Sequence, residues 1–179
     1  FKNQLGCDSL VSFELVIVQI NNAAAIQTPQ GLTITCAQPS LTLQSLNTPG
    51  VSHLWKNFAG DTLGTGNSIV VNTAGIYFHL VEAITSGPGC SSQAKILIKK
   101  NSSPPPVTAM GGIIDASHPT VQLMGHSIIS GVIYQWTGPN GFTSNLKKPI
   151  VSVPGFYTLT VTNPQTGCTN SITVEVIQM

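Results

Sequence analysis

The stretch that decides the fold reads Gly167-Cys168-Thr169-Asn170-Ser171-Ile172-Thr173-Val174-Glu175-Val176. A Gly-Cys pair precedes a segment in which apolar and polar residues alternate, and this period of two indicates a β-strand. The same arrangement occurs at Gly6-Cys7 and at Gly89-Cys90. Self-similarity of this kind is typical of an array of like modules. We therefore expect repeated β-structured units.

Other residues repeat between the second and third copies. Trp136 follows Trp55 by 81 residues, and Tyr157 follows Tyr77 by 80 residues. The pattern divides the chain into four parts: residues 1–22 as the terminal strand of a preceding repeat or a donor strand, 23–101 as a first domain, 102–106 as a proline-rich linker and 107–179 as a second domain. Three consecutive prolines in the linker favour a semi-rigid, extended spacer.

Short apolar segments separated by Gly and Pro turns predict an all-β fold. We expect tandem antiparallel β-sandwiches of Ig-like type, with about seven strands each, preceded by one orphan strand. In the second module, strands are predicted near 107–116, 120–124, 131–137, 149–153, 156–162 and 170–177.

Four aromatic residues are predicted to pack in the cores. Trp55 and Trp136 lie in mid-strand, where a large ring fills the space between two sheets. Tyr77 and Tyr157 follow Gly at the entry to a long strand, where a Tyr hydroxyl can bond to the backbone as in the tyrosine corner of Ig-like folds.

The cysteines predict an oxidising environment. Cys36 ends the first strand of the first module and Cys90 begins its last, so we expect a disulfide between them. The position in the second module that matches Cys36 is Ala116. Cys7 and Cys168 thus have no partner within a module, and are either free thiols or cross-links between neighbouring chains.

Composition argues against several functions. Charged residues make up 7% of the chain, the net charge is +1, and arginine is absent. No basic field is available to attract phosphates, so nucleic acid is not an expected partner. No run approaches the length needed to cross a bilayer, so we expect no membrane insertion. Because the chain begins at Phe1, we expect a processed protein or a piece of a longer one.

The sequence offers no evident chemistry. Its six carboxylates (Asp8, Glu14, Asp61, Glu82, Asp115 and Glu175) are far apart, and its four histidines (His53, His79, His118 and His126) show no zinc-ligand spacing. Asp115 and His118 are close enough to share a turn. We expect no enzyme activity, no metal site and no cofactor.

Two further segments resemble a known family. Tyr134-Gln135-Trp136-Thr137-Gly138-Pro139-Asn140-Gly141-Phe142 and Pro154-Gly155-Phe156-Tyr157 resemble the Ig-like, PKD-related repeats of large Bacteroidetes surface proteins. The resemblance implies a secreted, cell-surface protein of the gliding-motility adhesin type, exported by type IX secretion. It also implies O-glycosylation at Ser9 and Thr62, in Asp-Ser-Leu and Asp-Thr-Leu tripeptides.

Three functions are open at this point. The first is a non-catalytic structural segment of a surface adhesin, stalk or filament, with neighbouring repeats or copies of itself as partners. The second is a self-polymerising fibre subunit, joined by donation of the strand at residues 10–20. The third is a glycan-binding module, with Phe142 and Phe58 as stacking platforms for cell-surface glycans.

Overall fold

The structure is a computed structural model that describes residues 24–45, 50–84 and 91–179. The predicted donor strand at residues 10–20 therefore lies outside the described residues. Of the described residues, 56% lie in strands and 2% in helix, and the sheets pack as β-sandwiches. The all-β prediction is confirmed.

The first sandwich is built from two sheets. One has the strand order β1-β3-β6 and the other the order β2-β8-β7-β4-β5. The strands are β1 (Ile26–Gln27), β2 (Thr33–Thr35), β3 (Leu41–Ser45), β4 (Val51–Asn57), β5 (Thr62–Gly64), β6 (Ser68–Val71), β7 (Gly75–Ala83) and β8 (Ser91–Asn101). Most pairs are antiparallel, but β2 runs parallel to β8.

The second sandwich repeats this plan. Its larger sheet has the order β10-β17-β16-β13-β14, and the pairs β9-β12 and β11-β15 form the opposing layer. The strands are β9 (Thr108–Met110), β10 (Gly112–Ile114), β11 (Val121–Gln122), β12 (Met124–His126), β13 (Ile133–Thr137), β14 (Thr143–Ser144), β15 (Ile150–Val151), β16 (Gly155–Thr162) and β17 (Thr169–Gln178), with a 3-10 turn at Pro139–Gly141. Again one pair, β10 with β17, is parallel.

The aromatic residues occupy the positions expected of Ig-like sandwiches. Trp55 on β4 and Trp136 on β13 are fully buried between the sheets. The Tyr77 hydroxyl donates to the Thr73 carbonyl oxygen at 2.9 Å. The Tyr157 hydroxyl donates to the carbonyl oxygen of Val153 at 2.7 Å. A Trp on strand C of the Ig-like sandwich and a tyrosine corner near the start of its strand F are hallmarks of this fold.

Each sandwich has its own hydrophobic core, because alternate strand residues point inward. The buried members are Ile34, Leu41, Leu43, Trp55, Val71, Tyr77 and Ile98 in the first, and Ile114, Leu123, Trp136, Val151, Tyr157, Leu159, Val161 and Val176 in the second.

The predicted strand at 107–116 is divided at Gly111 into β9 and β10. β9 pairs with β12, whereas β10 pairs with β17 in the other sheet. A Cβ atom at Gly111 would overlap the backbone carbonyl of Glu175. The chain changes sheets here because only glycine allows this close approach of two backbones.

Candidate functional site: the joint between the two sandwiches

The two sandwiches are joined by a disulfide bond. Cys36 and Cys168 are bonded with a Cα–Cα distance of 4.9 Å and a sequence separation of 132 residues. Cys36 directly follows β2 of the first sandwich, and Cys168 directly precedes β17 of the second. A covalent bond therefore connects the first sandwich to the second, in addition to the linker.

This bond corrects two predictions. The expected Cys36–Cys90 disulfide is wrong, and so is the expectation that Cys168 is free or bound to another chain. Cys7 and Cys90 lie outside the described residues.

The error has a geometric cause. Thr35, the residue before Cys36, pairs with Asn101 at the far end of β8. Cys90 precedes Ser91, which begins that strand. Ten residues of strand separate Ser91 from Asn101, which is about 33 Å at 3.3 Å per residue. A disulfide requires Cα atoms within about 7 Å.

The loop that carries Cys168 is held by its own backbone. The carbonyl oxygen of Asn163 accepts hydrogen bonds from Thr166 N at 3.3 Å and Gly167 N at 2.8 Å, and Asn163 N donates to the Cys168 carbonyl at 2.9 Å. Gly167 has a φ of 68°, in the left-handed region that favours glycine. These bonds fix the direction in which Cys168 leaves the second sandwich.

A direct backbone contact lies beside the disulfide. Ala37 N donates to the carbonyl oxygen of Thr166 at 2.9 Å, and Thr166 is buried. Gly167 packs against Ala37 so closely that an added Cβ would lie 2.6 Å from the Ala37 Cβ. The first sandwich contributes a turn of its own here, in which Gln38 N donates to Thr35 Oγ1 at 3.1 Å.

The proline-rich linker packs into the same joint. Pro105 is buried, and its carbonyl oxygen accepts a hydrogen bond from Asn170 Nδ2 at 3.0 Å. Earlier in the linker, the Ser102 carbonyl oxygen lies 3.6 Å from Cys36 Sγ. The linker and the disulfide thus form two neighbouring connections between the sandwiches. With two connections, one sandwich cannot rotate freely about either connection relative to the other sandwich.

Sequence reasoning missed the supporting residues Ala37, Thr166 and Gly167. The signal was present in part, because Gly167-Cys168 belongs to the repeated Gly-Cys pattern. What the pattern does not contain is the partner in the other module.

A second polar cluster lies inside the first sandwich. His79 is fully buried, with 0% of its surface accessible to solvent. Its ring stacks on Trp55 at a centroid distance of 4.2 Å. Its Nε2 lies 3.0 Å from His53 Nδ1. Burial, and to a smaller extent the charge of His53, lowers the pKa of His79 to about 4. His79 is therefore neutral in the folded protein at physiological pH.

Asp115 and His118 do share a turn. Asp115 Oδ1 accepts hydrogen bonds from Ser117 Oγ at 2.8 Å, Ser117 N at 2.7 Å and His118 N at 2.7 Å. The hydrogen bonds, that from the Ser117 side chain first, lower the pKa of the Asp115 carboxyl below its ordinary value. The carboxylate thus organises a turn. Within 24–45, 50–84 and 91–179, no group of three or more His, Cys, Asp or Glu side chains could hold a metal ion.

The remaining predicted residues are dispersed. Phe142 packs edge-on against Tyr157 with ring centroids 5.4 Å apart, so it anchors its own turn, whereas Phe58 is 76% exposed. Thr62 is exposed on β5. Ser9 lies outside the described residues.

Comparison with known proteins gives likenesses among solved structures alone, since no family model and no curated protein matches. The three N-terminal domains of the bacteriophage RB49 Highly Immunogenic Outer Capsid protein are 13% identical, with a TM-score of 0.48, over 87% of this chain and 59% of that one. An I-band fragment of titin is 10% identical, with a TM-score of 0.41, over 78% of this chain and 59% of that one. Immunoglobulin domains 1–5 of Sidekick-1 are 13% identical, with a TM-score of 0.38, over 89% and 40%.

The chain thus spans 59% of the length of the capsid protein fragment and less of Sidekick-1. At these identities and TM-scores the likenesses carry no argument about function. The strand order, the buried Trp and the tyrosine corner in each half make this chain a tandem of two Ig-like β-sandwiches.

Proposed function

We propose that this chain is a non-catalytic, load-bearing segment of an extracellular surface protein, such as a stalk, adhesin or filament. The observation that carries the proposal is the disulfide between Cys36 and Cys168. Tension that enters the first sandwich through β2 crosses this bond and leaves through β17. The 132-residue loop that the bond closes is bypassed, and this loop contains most of both cores.

The polar groups of the described chain support a structural role over a catalytic one. The rings of His53 and His79 stack on each other, that of His79 also stacks on Trp55, and His118 Nδ1 lies 3.3 Å from Asp115 Oδ1 in the turn that they share. The carboxylate of Asp115 is used by its own turn, and that of Asp61 accepts a hydrogen bond from Asn57 Nδ2 at 2.8 Å. No nucleophile with an adjacent base is formed by these groups.

The disulfide supports an extracellular location, because such bonds persist in oxidising compartments. The resemblance of residues 134–142 and 154–157 to Bacteroidetes surface repeats supports a bacterial cell surface and export by type IX secretion. The partners are then neighbouring repeats of the same array or copies of this chain. In the described part of the chain, no helix has the length and apolarity to span a membrane.

Small-angle X-ray scattering tests the rigidity on which the proposal depends. The wild type is compared with Cys36→Ser/Cys168→Ser, and Cys7→Ser/Cys90→Ser serves as the matched control that keeps the joint. We expect the joint variant to show a larger radius of gyration and a broader pair-distance distribution, with the control unchanged. Superimposable curves for all three proteins would show that the bond does not hold the sandwiches, and the load-bearing function would be rejected.

A further inference from the structure

In the second sandwich, the layer formed by β9-β12 and β11-β15 carries side chains with soft metal-ligand atoms on its outward face. The chain has three methionines, and two of them, Met110 on β9 and Met124 on β12, are directly opposite each other. His126 lies two residues after Met124, on the same face of the same strand. With so few methionines in the chain, composition alone does not account for this pairing.

All three side chains point to solvent. Met110 is 65% exposed and Met124 is 44% exposed, and His126 is also exposed. The residues between them on the strands, Ala109 and Gly125, point inward. Neither methionine belongs to the hydrophobic core of the second sandwich or packs against it, so core packing does not explain their position.

The register brings the ligand atoms within reach of one another. Cβ atoms of directly opposite residues are about 4.5–5.5 Å apart, and diagonal neighbours are about 7–8 Å apart. Met110 and Met124 are opposite, and Met110 and His126 are diagonal. Long, unbranched Met side chains and an imidazole span these distances, so two thioether sulfurs and one ring nitrogen can converge on a single atom.

We propose that Met110, Met124 and His126 form a binding site for a soft monovalent metal ion, Cu(I) or Ag(I). Thioether sulfur selects soft ions such as Cu(I), and imidazole is also a ligand for copper. Harder ions such as Mg²⁺ and Ca²⁺ prefer oxygen ligands, and none of these three side chains supplies one. The site lies at the edge of a cavity of about 230 Å³.

The charged neighbours modulate this site. Leu123 N donates to the Pro149 carbonyl and Gly125 N to the Lys147 carbonyl, so Met124 lies opposite Lys148. The Lys147 ammonium lies 5.8 Å from the centroid of the Tyr134 ring. Lys148 is the cation on the outward face, and it weakens binding of a positive ion.

The first sandwich provides an internal comparison. Gln27 on β1 and Gln44 on β3 are directly opposite, as Met110 and Met124 are in the second sandwich. Amide groups at that position offer no thioether. The proposed site is therefore a property of the second sandwich and not of the repeated fold.

The test is a titration of the full chain with Ag(I), in chloride-free buffer and in a Cys7→Ser/Cys90→Ser background that removes competing thiols. Isothermal calorimetry gives stoichiometry and affinity, and ¹H–¹³C NMR follows the Met ε-methyl groups. We expect one Ag(I) per chain, with the Met110 and Met124 methyl signals shifted and the Met179 signal unchanged. Met124→Leu is expected to weaken binding at least about tenfold.

Two controls make the result specific. Met179→Leu removes an exposed methionine outside the site and is expected to leave the affinity unchanged. Lys148→Gln is expected to tighten binding by about threefold, because it removes one exposed positive charge that repels a bound cation. Equal affinities for Met124→Leu and its background, or equal shifts of all three methyl groups, would overturn the proposal. Because Met124 is exposed, thermal unfolding of Met124→Leu should match the background and exclude misfolding as the cause.

Discussion

Stretching this protein from its two ends should reveal how much of it the disulfide shields. The bond joins residues 132 positions apart, and everything between them lies inside a covalent loop. When the bond is intact, the loop cannot extend even if both sandwiches unfold. When the bond is removed, the loop adds its full contour, which is about 440–480 Å at 3.3–3.6 Å per residue.

Single-molecule force spectroscopy measures this difference directly. The chain is placed between marker domains of known contour length, and the Cys7→Ser/Cys90→Ser background is compared with the same background carrying Cys36→Ser/Cys168→Ser. Residues outside the bond contribute equally to both traces, so the difference in total extension isolates the loop. We expect unfolding steps of the two sandwiches to appear in the variant and to be absent from the bonded protein.

Addition of a reductant to the bonded protein under force should break the bond, and unfolding of the two sandwiches should then release the same additional length. A bonded protein that already extends to the full contour would refute the load path through Cys36 and Cys168. Equal extension of both proteins at the shorter length would refute it as well.

The other predictions concern stability. The pKa of His79 falls from 6.5 to about 4 on folding, so the unfolded chain binds the proton more tightly. Stability that is present above pH 6.5 is therefore lost as the pH falls towards 4, by at most about 3.4 kcal/mol. His79→Leu should flatten this part of a urea-unfolding profile against pH, and an unchanged slope would contradict the assignment. Gly167→Ala and Gly131→Ala both place a side chain at positive φ, which costs about 1–2 kcal/mol of folding stability. Only the side chain added by Gly167→Ala also contacts Ala37, so chemical unfolding should show Gly167→Ala to be less stable than Gly131→Ala. Equal losses of stability would argue against close packing at the joint. Tyr157→Phe leaves a backbone carbonyl without its donor and should cost about 1–2 kcal/mol in the same assay, whereas a neutral result would mean that water replaces the hydroxyl.

Local patterns in the sequence predict the strands well. Period-two alternation locates β16 and β17 within a residue or two of their observed ends, because one face of each strand is buried. The Gly-x-Tyr entry also predicts the hydroxyl bond that Tyr157 makes to Val153. These features depend on neighbours in sequence or on burial of one face.

Features that depend on close approach of distant backbones were not predicted. The division of 107–116 at Gly111 results from contact with Glu175, and no local pattern reports that contact. The short edge strands β5 and β14 likewise lack apolar alternation, since they add to sheets whose cores are already complete.

The expectation of a bond within one module assumed that Cys36 and Cys90 lie at the same end of the sandwich. The parallel pairing of β2 with the end of β8 places Cys36 at the opposite end, towards the second module. The unmatched cysteine of the second module, Cys168, was the available signal.

The position of this bond gives the repeat a direction. A cysteine after the second strand of one module bonds to the Gly-Cys cysteine before the last strand of the next. In sequence, Gly89-Cys90 stands in the first module where Gly167-Cys168 stands in the second, and Ala116 stands where Cys36 stands in the first. The second module therefore has the cysteine that faces a preceding module and lacks the one that would face a following module. A bond of this type can therefore join the second sandwich only to the module before it.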